Sequence, residues 1–179
     1  MQSGLEKNYF ELFGLSPRFD VDARDLTLRY RDLQKQFHPD RYANSSAQDK
    51  RLASQMAAQI NAAYQTLKSP LLRGRYLLEL SQVKVDDETD TRMNPAFLME
   101  QMELRERLEA VSVQKNGITE LEKIRKDVDS AFEKRILDLQ RSLDDPKNEQ
   151  YDLARSLIRE LQFLEKMATD IEQLEDAIL

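Results

Sequence analysis

Pro39 divides two stretches whose apolar residues recur at helical spacing, and this division strongly constrains what the chain can fold into. Upstream, Leu26, Tyr30, Leu33 and Phe37 stand at i, i+4, i+7 and i+11, one face of a helix that Asp22 is placed to cap. A proline ring pushes the preceding residues out of helical geometry, so this helix must end by Phe37. Downstream, Leu52, Met56, Ile60, Ala63, Tyr64 and Leu67 share one face of a helix running from about Ala47 to Leu67. Two such helices joined by the turn His38-Pro39-Asp40 predict an antiparallel hairpin with the tripeptide at its solvent-exposed tip. A shorter helix over Tyr9 to Phe13 stops at the turn signal Gly14-Leu15-Ser16-Pro17. Lys68-Ser69-Pro70 closes the hairpin, and Leu71 to Leu80 forms a fourth helix.

The polar, acidic stretch SQVKVDDETDTRM, residues 81–93, has no helical periodicity and reads as a linker. Beyond it, Asn94 and Pro95 supply an N-cap and a proline at the first helical position, opening a helix to about Gln114. Lys115-Asn116-Gly117 interrupts the pattern. A second helix, about Thr119 to Leu143, carries Leu121, Ile124, Val128, Phe132, Ile136, Leu139 and Leu143. Asp144-Asp145-Pro146 breaks it, and a third runs from about Glu149 to Leu179. Short connections make antiparallel neighbours, so residues 94–179 are expected to form a three-helix bundle. The fold class is all-α: an N-terminal helical hairpin domain (1–80), the linker and the C-terminal bundle. Only 4 Gly and 5 Pro in 179 residues suit this reading.

Several function classes are disfavoured by residue type. With no Cys and a single His, the chain forms no disulfide or zinc-thiolate site and holds no nucleophile-base pair of the usual kind, so neither metal, cofactor nor enzymatic activity is expected. The net charge of -6 is uneven: residues 1–80 carry 12 Lys and Arg against 9 Asp and Glu, the remainder 15 against 24. This asymmetry suggests two modules with different partners. The basic half has too little excess charge, and no basic-aromatic stripe, for nucleic acid. No stretch approaches the roughly 20 apolar residues of a membrane helix, and the N-terminus does not read as a signal peptide, so a cytoplasmic location is expected.

At the tip, proline fixes the turn, Asp40 presents a carboxylate and the His38 ring offers a donor and an acceptor. A lone histidine is most often a surface or packed side chain, but this triplet is equipped for recognition. Arg24, Arg31 and Lys35 fall within about 20 degrees of one direction, opposite the apolar face. A basic stripe thus leads toward the tip. Leu28, about 40 degrees from Arg24, has no core to enter and is expected to be exposed and to contact a partner.

The first 80 residues resemble a J-domain. The resemblance rests on Tyr9-Phe10 with Leu12, Gly14 and Leu15, on Tyr30-Arg31 before His38-Pro39-Asp40, and on Ala63, Tyr64, Leu67, Pro70, Arg73 and Tyr76 in AAYQTLKSPLLRGRY. It implies that the chain catalyses no reaction itself and stimulates ATP hydrolysis by a seventy-kilodalton-class chaperone. In that reading Asp40 is the least replaceable residue, and Arg24, Arg31 and Lys35 meet an acidic face of the ATPase.

The bundle has apolar residues beyond its core stripes. Phe97, Leu104, Leu108 and Val111 share one face, whereas Leu98, Met99 and Met102 lie about 100 to 200 degrees away, bordered by Glu103, Glu106 and Glu109. In the last helix Leu157, Leu161, Leu164, Ala168 and Ile171 form a stripe, with Phe163 about 120 degrees from its centre. A wide core arc would explain single members; the combination with a carboxylate border favours a binding patch. The stretches AFLMEQMELRERLE and ELQFLEKM resemble the C-terminal domain of the HscB family, J-type co-chaperones of iron-sulfur cluster assembly. The resemblance implies an IscU-type scaffold protein as client, held by Leu98, Met99, Met102, Glu103, Glu106 and Phe163, and an HscA-type chaperone as ATPase partner. A further acidic position of the family's patch is Ala110 here.

Overall fold

The computed structural model describes residues 7–85, 94–111, 117–144 and 150–178. They form seven α-helices: α1 (Tyr9–Leu12), α2 (Ala23–Gln36), α3 (Ala47–Lys68), α4 (Pro70–Leu80), α5 (Pro95–Val111), α6 (Gly117–Asp144) and α7 (Tyr151–Ile178). The chain divides after Ser81 into two compact units. Most of the expected linker, and the expected continuation of the fifth helix past Val111, lie outside the described residues.

In the first unit, local chemistry sets the helix ends. Asn8 and Glu11 form a reciprocal capping box at the start of α1. Asp22 accepts the backbone N–H groups of Arg24 (2.8 Å) and Asp25 (2.9 Å), and Ser46 accepts that of Asp49 at 3.1 Å. Ser69 ends α3 and caps α4, whose first residue is Pro70. After α1 the chain reverses through Gly14, whose φ of +63° is strained for any residue with a Cβ. Arg29 of α2 fixes this turn, donating from Nη1 to the carbonyls of Phe13 (2.9 Å) and Gly14 (3.2 Å).

The α2–α3 hairpin closes on Leu26, Met56, Ile60, Ala63 and Leu67, all buried. Each large apolar side chain removed from water stabilises the unit by about 1.5 to 3 kcal/mol. Tyr30 and Tyr64 stack across it with ring centroids 4.0 Å apart. Tyr76 of α4 stacks on Tyr9 at 4.5 Å, and its hydroxyl accepts the Tyr9 N–H at 2.9 Å, returning the chain to its start. Arg73 is buried; its Nη1 donates to the Leu67 carbonyl at 2.6 Å and its guanidinium lies 4.9 Å from the Phe19 ring centre.

The second unit is a bundle of α5, α6 and α7 around Leu104, Leu108, Val111, Leu121, Ile124, Val128, Leu164, Met167 and Ile171. Asn94 Oδ1 accepts the Ala96 N–H at 3.0 Å, the expected cap. α6 begins at Gly117, two residues before the expected Thr119. Glycine is costly in a helix interior but is tolerated in the first turn, and Gly117 is buried. On α7 the buried set includes Ile158 and Met167 besides Leu157, Leu161, Leu164 and Ile171. The core arc of this helix is therefore wider than the single predicted stripe.

Candidate functional site

The exposed tip is a 3-10 turn, Pro39–Tyr42, capped by the His38 side chain, whose Nδ1 accepts the Asp40 backbone N–H at 3.3 Å. The Asp40 carboxylate stands 3.6 Å from Nδ1, and 90% of its side-chain surface is open to solvent. The imidazole cap holds the backbone beneath this carboxylate without drawing it inward. An anionic acceptor on a stiffened tip is the result.

Arg31, Lys35 and His38 line one groove together with Gln34, Phe37, Arg41, Ala57 and Asn61. Arg24 is exposed at the start of α2, and Leu28 is 60% exposed. Arg41 is a groove residue that the sequence reading missed. Its Nη1 donates to the Lys35 carbonyl at 3.5 Å, which brings a further cation beside the tip. The signal available was its place immediately after the tripeptide.

On the bundle, Leu98, Met99 and Met102 are 41%, 72% and 63% exposed, while Phe97, Leu104 and Leu108 on the same helix are buried. Glu103 and Glu106 are exposed beside them, as is Ala110. Phe163 is placed differently from the helical-wheel expectation. It is half-buried, packed against the bundle core, and meets Phe97 edge-on at 5.7 Å between ring centres. The reason is that α7 packs against both α6 and α5, so residues well off its central stripe are also covered. Arg105 of α5, which the sequence reading did not single out, lies with its guanidinium 5.6 Å from the Phe163 ring centre. Its position on the helical wheel, about 80 degrees from Phe97, was the available clue.

Beneath α5 lies a polar cluster. Arg135 of α6 donates from Nη2 to Glu100 of α5 at 2.6 Å, from Nε to Glu160 of α7 at 2.7 Å and from Nη1 to the Ala131 carbonyl at 3.2 Å. Burial works against the Arg135 charge, but the hydrogen bonds to Glu160 and Glu100 outweigh it and hold its pKa above the usual value. Farther along α5, Arg107 binds Asp127 (2.7 Å) and Glu120 (3.1 Å) of α6. Among the described residues, no group of three or more His, Cys, Asp or Glu side chains could hold a metal, and no helix is long and apolar enough to cross a membrane.

Residues 8–76 match the DnaJ domain family, and residues 93–172 match the family described as the HSCB C-terminal oligomerisation domain. The chain is 42% identical over 172 residues to the co-chaperone protein HscB homolog of Aliivibrio fischeri strain MJ11, an alignment covering 96% of this chain and 99% of that protein. The chain belongs to the HscB family. Its structure is similar to that of the chaperone HscB from Vibrio cholerae, with a TM-score of 0.85 and 41% identity over 97% of this chain and 100% of that one. It is also similar to the human co-chaperone protein HscB, at a TM-score of 0.84 and 27% identity over 97% of this chain and 84% of that one. As an HscB-type protein the chain is a co-chaperone in iron-sulfur protein maturation and not itself a catalyst.

Proposed function

We propose that the chain binds an IscU-type iron-sulfur scaffold through its bundle and delivers it to an HscA-type chaperone, whose ATPase it stimulates through the J-domain tip. The observation that carries this reading is the exposure of Leu98, Met99 and Met102 on a helix whose other large apolar residues are buried. These side chains supply an adaptable apolar centre, with Phe163 at its edge and Glu103 and Glu106 on its rim. His38, Pro39 and Asp40 present the tip to the ATPase. Arg24, Arg31 and Lys35 steer encounter with an acidic face of that partner, and Leu28 adds an apolar contact. Joining both surfaces in one chain raises the effective concentration of scaffold at the chaperone.

The reading is tested by ATP turnover of an HscA-type chaperone with the scaffold present. The wild-type chain should stimulate, Asp40→Asn should fail even at high scaffold concentration, and Leu98→Ala/Met102→Ala/Phe163→Ala should lose only the scaffold-dependent synergy. Full synergy from the folded triple variant would assign the bundle to a different client.

A further inference from the structure

The start of α5 faces two ways. Leu98 and Met99 point outward, whereas Phe97 is buried and Glu100 reaches inward to Arg135. The Arg135 side chain is only 12% exposed. Its guanidinium carbon lies 4.7 Å from the Phe97 ring centre, and Phe97 meets Phe163 edge-on. One planar group therefore touches the residues on both sides of Leu98-Met99 and, through Glu160, the helix that carries Phe163.

We propose that Arg135 is the positioning residue of the scaffold-binding patch: braced on Glu160 of α7 and joined to Glu100 and Phe97 of α5, it sets Leu98 and Met99 in register with Phe163. The inference rests on the reading of the patch given above. A guanidinium suits the task because its donors leave in fixed directions within one plane, while its face packs against an aromatic ring. A lysine ammonium at the same place keeps the charge but not the fork, so α5 and α7 are no longer held by one rigid group. Arg107 fixes the later part of α5 to α6; Arg135 fixes its beginning to both neighbours. A side chain left loosely held loses binding even when every contact residue is present.

The test measures binding of the full chain to an IscU-type scaffold for Arg135→Lys, Glu100→Ala, Leu98→Ala/Met102→Ala and Arg125→Met. Arg135→Lys leaves a cation between the two glutamates, and Glu100→Ala removes only the half-exposed arm to α5, so both variants keep the fold. Arg125→Met breaks the Arg125–Glu175 bridge between α6 and α7 (2.7 Å) and serves as the stability control. Arg135→Lys and Glu100→Ala should each weaken binding by about tenfold. The loss should lie in the dissociation rate and persist at high salt, whereas Arg125→Met binds normally. In a Phe163→Ala background the Arg135→Lys loss should disappear. Normal binding by Arg135→Lys and Glu100→Ala, while Leu98→Ala/Met102→Ala binds weakly, overturns the positioning role and leaves the patch reading intact. An equal loss in Arg125→Met, a loss confined to low-salt association, or one that persists without Phe163 also overturns it. Normal binding by Leu98→Ala/Met102→Ala removes the patch reading and this inference with it.

Discussion

The imidazole of His38 accepts the backbone N–H of Asp40 at 3.3 Å, so the only histidine in the chain serves as the cap of the turn that displays the aspartate. Asp40→Asn leaves that backbone hydrogen bond in place and removes only an exposed charge. Thermal unfolding should match wild type, and stimulation of the chaperone ATPase in single-turnover hydrolysis should vanish. A large drop in melting temperature would mean that Asp40 is structural.

The patch separates affinity from rate. Leu98→Ala and Met102→Ala should each cost about 1 to 2 kcal/mol of scaffold binding without lowering stability, because both side chains are exposed. Glu103→Lys and Glu106→Lys should chiefly slow association and reduce its salt dependence. Stopped-flow binding at two salt concentrations reads both effects. An unchanged association rate would count against the division.

Gly14 and Arg29 lock α1 to α2. A Cβ at position 14 would stand 3.1 Å from Arg29 Nη1, at a φ that side-chain-bearing residues rarely adopt. Gly14→Ala should therefore destabilise the chain by about 1 to 2 kcal/mol in urea unfolding. Arg29→Lys should also destabilise, since one ammonium does not reproduce the three hydrogen bonds to Asp25, Phe13 and Gly14.

Acid should loosen the first unit through Asp22. Hydrogen bonds from the backbone N–H groups of Asp25 and Arg24 hold its carboxyl below the usual carboxylate range. A depressed folded-state pKa contributes stability above the unfolded value and loses it as pH falls through the folded value. Asp22→Asn retains the cap but not the titration, so its stability should fall less steeply over that acid window. Glu165 has the opposite sign: partial desolvation raises its pKa, but the residue is exposed, so the stability it contributes, lost as pH rises through that value, is small. Glu165→Gln should remove this contribution in unfolding measured at stepped pH.

The starts of α2, α4 and α5 are legible in the chain, because capping signals act over a few residues. Asp22, Ser69-Pro70 and Asn94-Pro95 each cap or open a helix with their own atoms, and Pro39 limits its immediate neighbours. The sequence also distinguished Leu98, Met99 and Met102 from the buried face of α5, since a helix with one core-facing side leaves the other exposed. Other features arise only where the three helices meet. Phe163 is half-buried because α5 and α6 both cover α7, a width that periodicity along α7 alone does not encode. Arg135, Glu100 and Glu160 read as ordinary charges in sequence, and become one hydrogen-bonded cluster only when residues 25 and 35 positions from Arg135 are brought within hydrogen-bonding distance. Local chemistry writes helix starts, whereas the pairing of distant charges exists only after packing has brought them together.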